Sequence, residues 1–106
     1  MSYRKFVINE VERDEETVFF TAEGVVSSSN DHHLETYFNR AIEDGCINII
    51  IDMSEIDLFT SAGIRVVLKT HKNLKEKGGC LKIKDPSSHV EGVLGMVALD
   101  ELLLKE

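Results

Sequence analysis

Two hydroxyl side chains, Thr60 and Ser61, follow a strongly apolar stretch at the point where helical spacing of apolar residues begins. Residues 47–51 are almost wholly β-branched and apolar, which is typical of a strand buried on both faces. The first turn of a helix offers unpaired N–H groups and the positive end of the helix dipole to an anion. The position of Ser61 therefore predicts a site at which an added phosphoryl group would meet hydrogen-bond donors.

Two interpretations of these hydroxyls stay open. In the simpler one, which the local sequence favours, Thr60 or Ser61 is a helix N-cap that contributes about 1 kcal/mol. In the other, Arg65 lies one helical turn after Ser61 on the same stripe and could contact a phosphate. Arg65, Lys69 and Lys72 could equally form an ordinary solvated face. A hydrolase that uses Ser61 as its nucleophile is disfavoured, because the Gly-x-Ser-x-Gly motif is absent and no histidine is placed by sequence as its base.

Three carboxylates, Asp52, Glu55 and Asp57, stand between the apolar stretch and the hydroxyls. A metal site or an acid/base pair is one reading of them, but their spacing matches no ligand signature, so no metal site is predicted. Asp52 stands at the C-terminal end of the strand, where open α/β sheets place active groups, but a turn-stabilising role is favoured for it. His71 falls on the inner face of the following helix and is predicted to be a partly buried, hydrogen-bonded histidine. The histidine pair at residues 32–33 is predicted to be solvated, because adjacent helical residues cannot face one ligand.

The length and composition, 106 residues with 42% hydrophobic and 29% charged side chains, predict one domain over residues 1–106. A net charge of −7 without a Lys/Arg cluster argues against direct binding of nucleic acid. The start of the chain does not resemble a signal peptide, and no apolar run is long enough for membrane insertion. Cys46 and Cys80 are predicted to be free thiols, which favours a cytoplasmic location. No Walker or Rossmann glycine pattern occurs, so no cofactor is predicted.

The pattern of apolar residues predicts an α/β fold with the order β-β-α-β-α-β-α. An opening antiparallel hairpin is followed by strands that must pair in parallel through right-handed crossovers, which gives a mixed sheet with packed helices. Strands are predicted at residues 6–11, 17–24, 47–52 and 80–84. The first helix is predicted to begin in the Ser/Asn-rich residues 27–31 and to end at Gly45. The second is predicted from Ser61 to about Lys77, and the residues of its inner face are Ile64, Val67, Leu68, His71 and Leu74. A third helix is predicted from a cap at Ser88, and a final turn is predicted from Asp100 with Leu102, Leu103 and Leu104.

Residues 52–64 read Asp-Met-Ser-Glu-Ile-Asp-Leu-Phe-Thr-Ser-Ala-Gly-Ile, and residues 78–83 read Gly-Gly-Cys-Leu-Lys-Ile and are followed by Pro86. Both segments resemble the STAS domain, the family of anti-sigma-factor antagonists and of the cytoplasmic domains of sulfate transporters. The first follows the family's Asp-apolar-Ser and Ser-small-Gly-apolar pattern without a gap. The element order agrees along essentially the whole chain, so the resemblance implies a STAS-like mixed sheet.

The resemblance implies that the chain is a bacterial anti-sigma-factor antagonist that acts by protein–protein binding and is not an enzyme. Its partner would be an anti-sigma factor with serine kinase activity, which releases the antagonist when Ser61 is phosphorylated; a phosphatase is a further candidate partner. Thr60 stands where the family often has Asp and is the second candidate for phosphorylation, and Ser27 replaces another family Asp. The partner-binding residues implied are Ser27, Ser28, Asn30, Thr60, Ala62, Gly63 and Arg65.

Another function stays open from the sequence. A STAS domain that is not phosphorylated could act as a scaffold or as an accessory subunit of a transporter. The sequence specifies neither the anti-sigma factor, the sigma factor and the upstream signal nor the oligomeric state.

Overall fold

A computed structural model describes residues 3–97 and 99–103. These residues form a four-stranded sheet with three α-helices, and the element order is the predicted β-β-α-β-α-β-α. The elements are β1 (Val7–Arg13), β2 (Thr17–Val26), α1 (Asp31–Glu43), β3 (Asn48–Phe59), α2 (Ser61–Glu76), β4 (Cys80–Lys84), α3 (Ser88–Met96) and a short 3-10 helix, Asp100–Leu102.

The sheet is mixed, as predicted, and its strands follow one another in sequence order β1-β2-β3-β4. β1 pairs with β2 antiparallel, and β2, β3 and β4 are parallel. The Asp14 carboxylate stabilises the hairpin turn by accepting hydrogen bonds from the N–H groups of Glu16 and Thr17. After α1, Gly45 takes a left-handed φ of 103°, which only glycine adopts at no steric cost, and the chain turns into β3.

The helices among the described residues cover one face of the sheet. The buried strand residues alternate along β2, β3 and β4: Val18, Phe20, Ala22, Ile49, Ile51, Met53, Leu81 and Ile83. Between them, Phe19 and Ile50 point to the other face and are partly exposed. The predicted burial of β3 on both faces is therefore wrong. The reason is topological: when parallel strands are added in one direction, successive right-handed crossovers place their helices on the same side.

β3 is longer than predicted, since it ends at Phe59 instead of residue 52. β2 continues to Val26 and offers unpaired backbone groups to the residues that follow Asp52. Two shifts in register let residues 55–59 pair with this end of β2. The polar connection expected after residue 52 is therefore part of a bulged strand.

α2 begins at Ser61, as predicted, and ends at Glu76. Its buried face is rotated slightly from the predicted one: Val66 and Thr70 are buried, whereas Ile64 and Leu68 are only partly buried. The wider buried stripe arises because α2 packs on α1 as well as on the sheet.

The final segment differs from the prediction in one cap. The hydroxyl of Ser87, not Ser88, accepts the hydrogen bond from the Val90 N–H, 3.2 Å away, and begins α3. Leu102 is buried, and residue 103 forms a parallel bridge with Ile83 at the outer edge of β4. Leu104, predicted in the final turn, lies outside the described residues. No described helix combines the length and the apolar character needed to cross a bilayer.

Candidate partner-binding site

The ends of β2 and β3 bring the two predicted segments of the site together. Val26 and Phe59 are register partners in parallel strands, so both chains leave the sheet at the same edge. One continues into residues 27–30 and the other into the first turn of α2. The serine-rich loop therefore lies beside Thr60 and Ser61, although more than 30 residues separate them in sequence.

Thr60 is fastened to the neighbouring strand. Its backbone N–H and its hydroxyl both donate to the carbonyl oxygen of Val26, at 3.1 and 2.9 Å. Thr60 holds the N-cap position of α2 with an extended ψ of 176°, but its side chain makes no capping hydrogen bond. Thr60 is thus the N-cap of α2 by position only, because its hydroxyl donates to the end of β2 and makes no hydrogen bond with the first turn of the helix.

Ser61 is the first residue of α2 and is exposed. The first intrahelical hydrogen bond joins the Ile64 N–H to the Thr60 carbonyl over 3.1 Å, which leaves the preceding N–H groups of the helix without intrahelical acceptors. The first turn of α2 contains no acidic residue. An anion at Ser61 would therefore meet N–H donors that lack intrahelical acceptors and the positive end of the helix dipole, with no carboxylate in this first turn to compete.

Ala62 and Gly63 lie beneath the surface at this helix start. A Cβ atom on Gly63 would stand 2.5 Å from a ring carbon of Phe59 and 2.8 Å from a methyl carbon of Val26. Glycine is required here because the helix approaches the ends of both strands so closely. Of the predicted site residues, these two support the surface from below.

The loop between β2 and α1 is built around Asn30. Its side-chain oxygen accepts from the Ser27 N–H at 3.0 Å, and its side-chain nitrogen donates to the Val25 carbonyl at 2.9 Å. The Ser27 hydroxyl is 2.8 Å from that of Ser29. Ser27 and Asn30 thus shape the loop, and Ser28 is exposed at its tip.

Arg65 is exposed on the same helical stripe as Ser61. Lys69, one turn further, forms an ion pair of 2.8 Å with Glu35 of α1. Arg65 also lines a shallow groove of about 500 Å³ between α1 and α2, together with Leu68 and Lys72. The basic stripe is therefore partly paired with α1 and partly open to solvent beside Ser61.

The three carboxylates after the apolar stretch have structural partners. Asp52 accepts from the Ser54 N–H at 2.8 Å within β3, so the turn that it was expected to stabilise is part of a strand. The Arg4 guanidinium binds Asp57 and Glu55, with nitrogen–oxygen distances of 2.7 Å to each. These hydrogen bonds lower the pKa of the Asp57 carboxyl. Within residues 3–97 and 99–103, no group of three or more potential ligands is placed to hold a metal ion.

Sequence reasoning missed the partner of Asp57 and Glu55. Arg4 lies 53 residues before Asp57, and no local spacing rule connects positions so far apart. Arg4 also donates its backbone N–H to the Asp57 carboxylate at 2.9 Å, so the segment before β1 is fixed across the second half of β3.

His71 has the predicted structural role. Its Nδ1 accepts a hydrogen bond from the Leu81 N–H at 3.1 Å, which joins α2 to the first residues of β4. Burial lowers the pKa of His71, so the neutral imidazole is favoured. Both cysteines are free thiols, as predicted; Cys46 is buried, which raises the pKa of its thiol, and Cys80 is partly buried.

The chain matches the model of a known family. The family model of the STAS domain matches residues 9–105, and the chain belongs to this family. BtrV of Bordetella bronchiseptica, named "Putative anti-sigma factor antagonist BtrV", is 34% identical over 71 residues. That match covers 67% of this chain and spans 61% of the relative's length.

Solved structures of anti-sigma-factor antagonists share the fold. The structure of SpoIIAA in its unphosphorylated form superimposes with a TM-score of 0.83 at 20% identity, over 94% of this chain and 88% of that one. The Bacillus cell fate determinant SpoIIAA in its phosphorylated form gives a TM-score of 0.76 at 17% identity, over 94% and 91% of the two chains. At this level of identity the likeness establishes the STAS fold.

Proposed function

We propose that this chain is an anti-sigma-factor antagonist that binds an anti-sigma factor with serine kinase activity and is released when Ser61 is phosphorylated. The observation that carries the proposal is the exposed Ser61 hydroxyl at the start of α2 in a chain of the STAS family. The name of the Bordetella relative supports the antagonist function, and the existence of a phosphorylated form of SpoIIAA supports a phosphorylation switch on this fold.

Ser61 is a better acceptor than Thr60. The Thr60 hydroxyl already donates to the Val26 carbonyl, and phosphorylation would break this hydrogen bond and place charge against a backbone oxygen. The exposed Ser61 hydroxyl has no such contact with the described residues. The difference between the two neighbouring hydroxyls supports Ser61 as the primary site.

Phosphorylation of Ser61 would change binding more than folding. A phosphoserine adds about −1.5 to −2 charges, and the start of α2 supplies donors that can accommodate them in the free protein. In a packed interface the same charge would be desolvated, and the chain already carries a net charge of −7. The expected result is release from the partner by an antagonist that remains folded.

The partner-binding surface would consist of the exposed part of the site. Ser28 at the tip of the loop, Ser61 and Arg65 offer side chains to a partner. Ser27, Asn30 and Thr60 hold the loop and the strand ends in place, so we assign them a supporting role. A protein that acts by binding alone requires no catalytic group. Within the described residues, the Nδ1 atom of His71 already accepts a hydrogen bond from the Leu81 N–H. The free thiols are consistent with action in the cytoplasm.

The first experiment measures the intact mass of the protein after incubation with ATP and the serine-kinase anti-sigma factors of the host, followed by mapping of the modified residue. We expect one added phosphate on Ser61 and none in Ser61→Ala. Ser28→Ala is the matched control, because Ser28 is an exposed serine of the same surface, and this variant should be phosphorylated normally. Phosphate on Thr60 would move the site, whereas no phosphate from any of the kinases would contradict the switch and favour a scaffold.

A binding measurement tests the second half of the proposal. Ser61→Asp should bind the anti-sigma factor on the order of a hundredfold more weakly than Ser61→Ala, which corresponds to about 3 kcal/mol for a desolvated charge in the interface. Isothermal titration calorimetry with both variants measures this ratio. Equal affinities would show that charge at residue 61 does not control binding.

A further inference from the structure

On the sheet face that the described helices leave open, side chains of neighbouring strands form rows that run across the strands. In the central row, Phe19 of β2 stands beside Ile50 of β3, and the row continues to Glu12 of β1 and Lys82 of β4. The adjoining row runs from Asn9 to Lys84. Val11, an exposed residue at the irregularity in β1, together with Phe19 and Ile50 borders a depression of about 280 Å³. Glu12 and Lys84 line the same depression.

Charge is distributed unevenly over this face. Its β1 side carries Glu12, and its β4 side carries Lys84 and Lys82, with apolar Phe19 and Ile50 between them. The ammonium group of Lys82 donates to the carbonyl oxygen of Glu101, so Lys84 is the lysine of this edge that is open to a partner. Asp52 neighbours Lys84, and its single negative charge offsets only part of the positive charge of the two lysines. A face that is acidic along one edge and basic along the other cannot be matched by a partner surface of a single sign.

We propose that this face binds a second copy of the chain in a two-fold symmetric dimer. A two-fold axis that lies between the two sheets and runs nearly parallel to the strands places β1 of one copy over β4 of the other. Glu12 of each copy then lies over the Lys82–Lys84 edge of its partner, and the central apolar residues face each other. An axis across the strands would instead bring like edges together. The surface is therefore self-complementary in one orientation, as an isologous interface requires.

The sheet edges are less suited to self-association. β1, the open edge, is charged and irregular, with a register shift between Glu10 and Glu12, and such features oppose strand addition. The outer edge of β4 is partly occupied by the bridge between Ile83 and residue 103. The open face is thus the better contact surface, with an extent of roughly 20 by 20 Å from strand and residue spacings. Because this size is at the low end for specific interfaces, we expect a weak dimer, with a micromolar dissociation constant.

The dimer would not obstruct the proposed partner-binding site. Ser61 begins α2, which packs on the opposite side of the sheet from Phe19 and Ile50. The inference is independent of the proposed function, since neither phosphorylation nor an anti-sigma factor enters it. Ser61→Asp should dimerise with the same affinity as the wild type.

A charge-exchange experiment tests the proposal by sedimentation equilibrium between micromolar and millimolar concentrations. Glu12→Lys alone and Lys84→Glu alone should each raise the dimer dissociation constant at least about tenfold, because like charges then face each other between residues 12 and 84. Mixed in equal amounts, the two variants should form heterodimers with near wild-type affinity, since each altered edge now meets its complement. This rescue could not arise from misfolded variants.

The matched controls are Glu43→Lys and Lys75→Glu, which reverse exposed charges at the C-terminal ends of the two long helices. Both should dimerise like the wild type. A wild-type chain that remains monomeric at millimolar concentration would overturn the proposal. It would also be overturned if the Glu12→Lys and Lys84→Glu mixture dimerised no better than the separate variants.

Discussion

Thr60 and Ser61 show how two adjacent hydroxyls acquire different chemistry from their surroundings. The Thr60 hydroxyl donates a hydrogen bond to the Val26 carbonyl, whereas Ser61, the next residue, is exposed to solvent. The sequence alone does not distinguish the two hydroxyls, because the acceptor of the Thr60 hydroxyl, the carbonyl of Val26, lies 34 residues away. At the scale of single residues, the sequence could therefore name the two candidate hydroxyls, but it could not show which hydrogen bonds each of them makes.

Gly63 is the residue at which the site is most sensitive to added volume. Gly63→Ala should destabilise the fold by about 1–3 kcal/mol, because the new Cβ would overlap the ring of Phe59 and a methyl group of Val26. Urea denaturation measures the free energy of unfolding. Gly92→Ala is the matched control: Gly92 is also helical but has open space around its Cβ position, so this change should stabilise by about 0.5–1 kcal/mol. Destabilisation of similar size in both variants would contradict the close approach at Gly63.

The contact of Arg4 with Asp57 can be tested through the pKa of the carboxyl. In the wild type, hydrogen bonds from Arg4 hold the pKa of Asp57 below its ordinary value. Arg4→Ala should raise this pKa toward that of an isolated aspartate, as measured by NMR titration of the side-chain carboxyl carbon. Arg13→Ala removes an arginine that binds Glu10 and Asp44 instead, and should leave the pKa of Asp57 unchanged. An unaltered Asp57 titration in Arg4→Ala would refute the contact.

At the scale of elements, the order and type of the predicted strands and helices are confirmed, and the extent of β3 is not. Residues 47–51 identify a strand by their β-branched side chains, but the next residues, including Glu55 and Asp57, look like a polar loop. They become strand because β2 provides pairing groups and Arg4 neutralises the carboxylates. Such non-local partners have no signature within a short window of sequence. The open face is hidden for a similar reason, because an uninterrupted apolar run carries no alternation that would mark a solvent side.

α2 and β4 are joined by a histidine whose protonation should weaken the fold. Burial lowers the pKa of His71 in the folded state below the ordinary value of about 6.5, so the unfolded chain binds the proton more readily. The contribution of neutral His71 to stability is complete above that ordinary value and is lost as the pH falls through the lower folded-state pKa. Stability should therefore decrease more steeply on acidification in the wild type than in His71→Gln, as measured by urea denaturation at several pH values.

The control for this prediction is His32→Gln, which makes the same change at an exposed histidine at the start of α1 and leaves the hydrogen bond between Leu81 and His71 in place. If His71→Gln and the wild type lose stability in parallel between neutral and mildly acidic pH, the hydrogen bond from Leu81 to a neutral imidazole is not a stabilising feature.

At the scale of the whole molecule, Cys46 should report global unfolding. It lies in the core with 2% of its surface exposed, and burial raises the pKa of its thiol. In Cys80→Ser, a thiol reagent should react slowly under native conditions, and its rate should rise with denaturant in step with loss of circular dichroism. Cys46→Ser, which keeps the partly exposed Cys80, should react faster in the native state. Rapid labelling of Cys46 without denaturant would show that the core opens locally.

The Arg4 contact also has a consequence for the order of events on the ribosome. Arg4 and Asp57 are 53 residues apart, and at about 5–20 residues per second the carboxylate is added roughly 3–10 s after the arginine. The hairpin of β1 and β2 can form in that interval, but the contact of Arg4 with Asp57 must wait until this part of β3 has emerged. A residue that precedes the first strand is thus held by a contact that can form only after most of the third strand has been added.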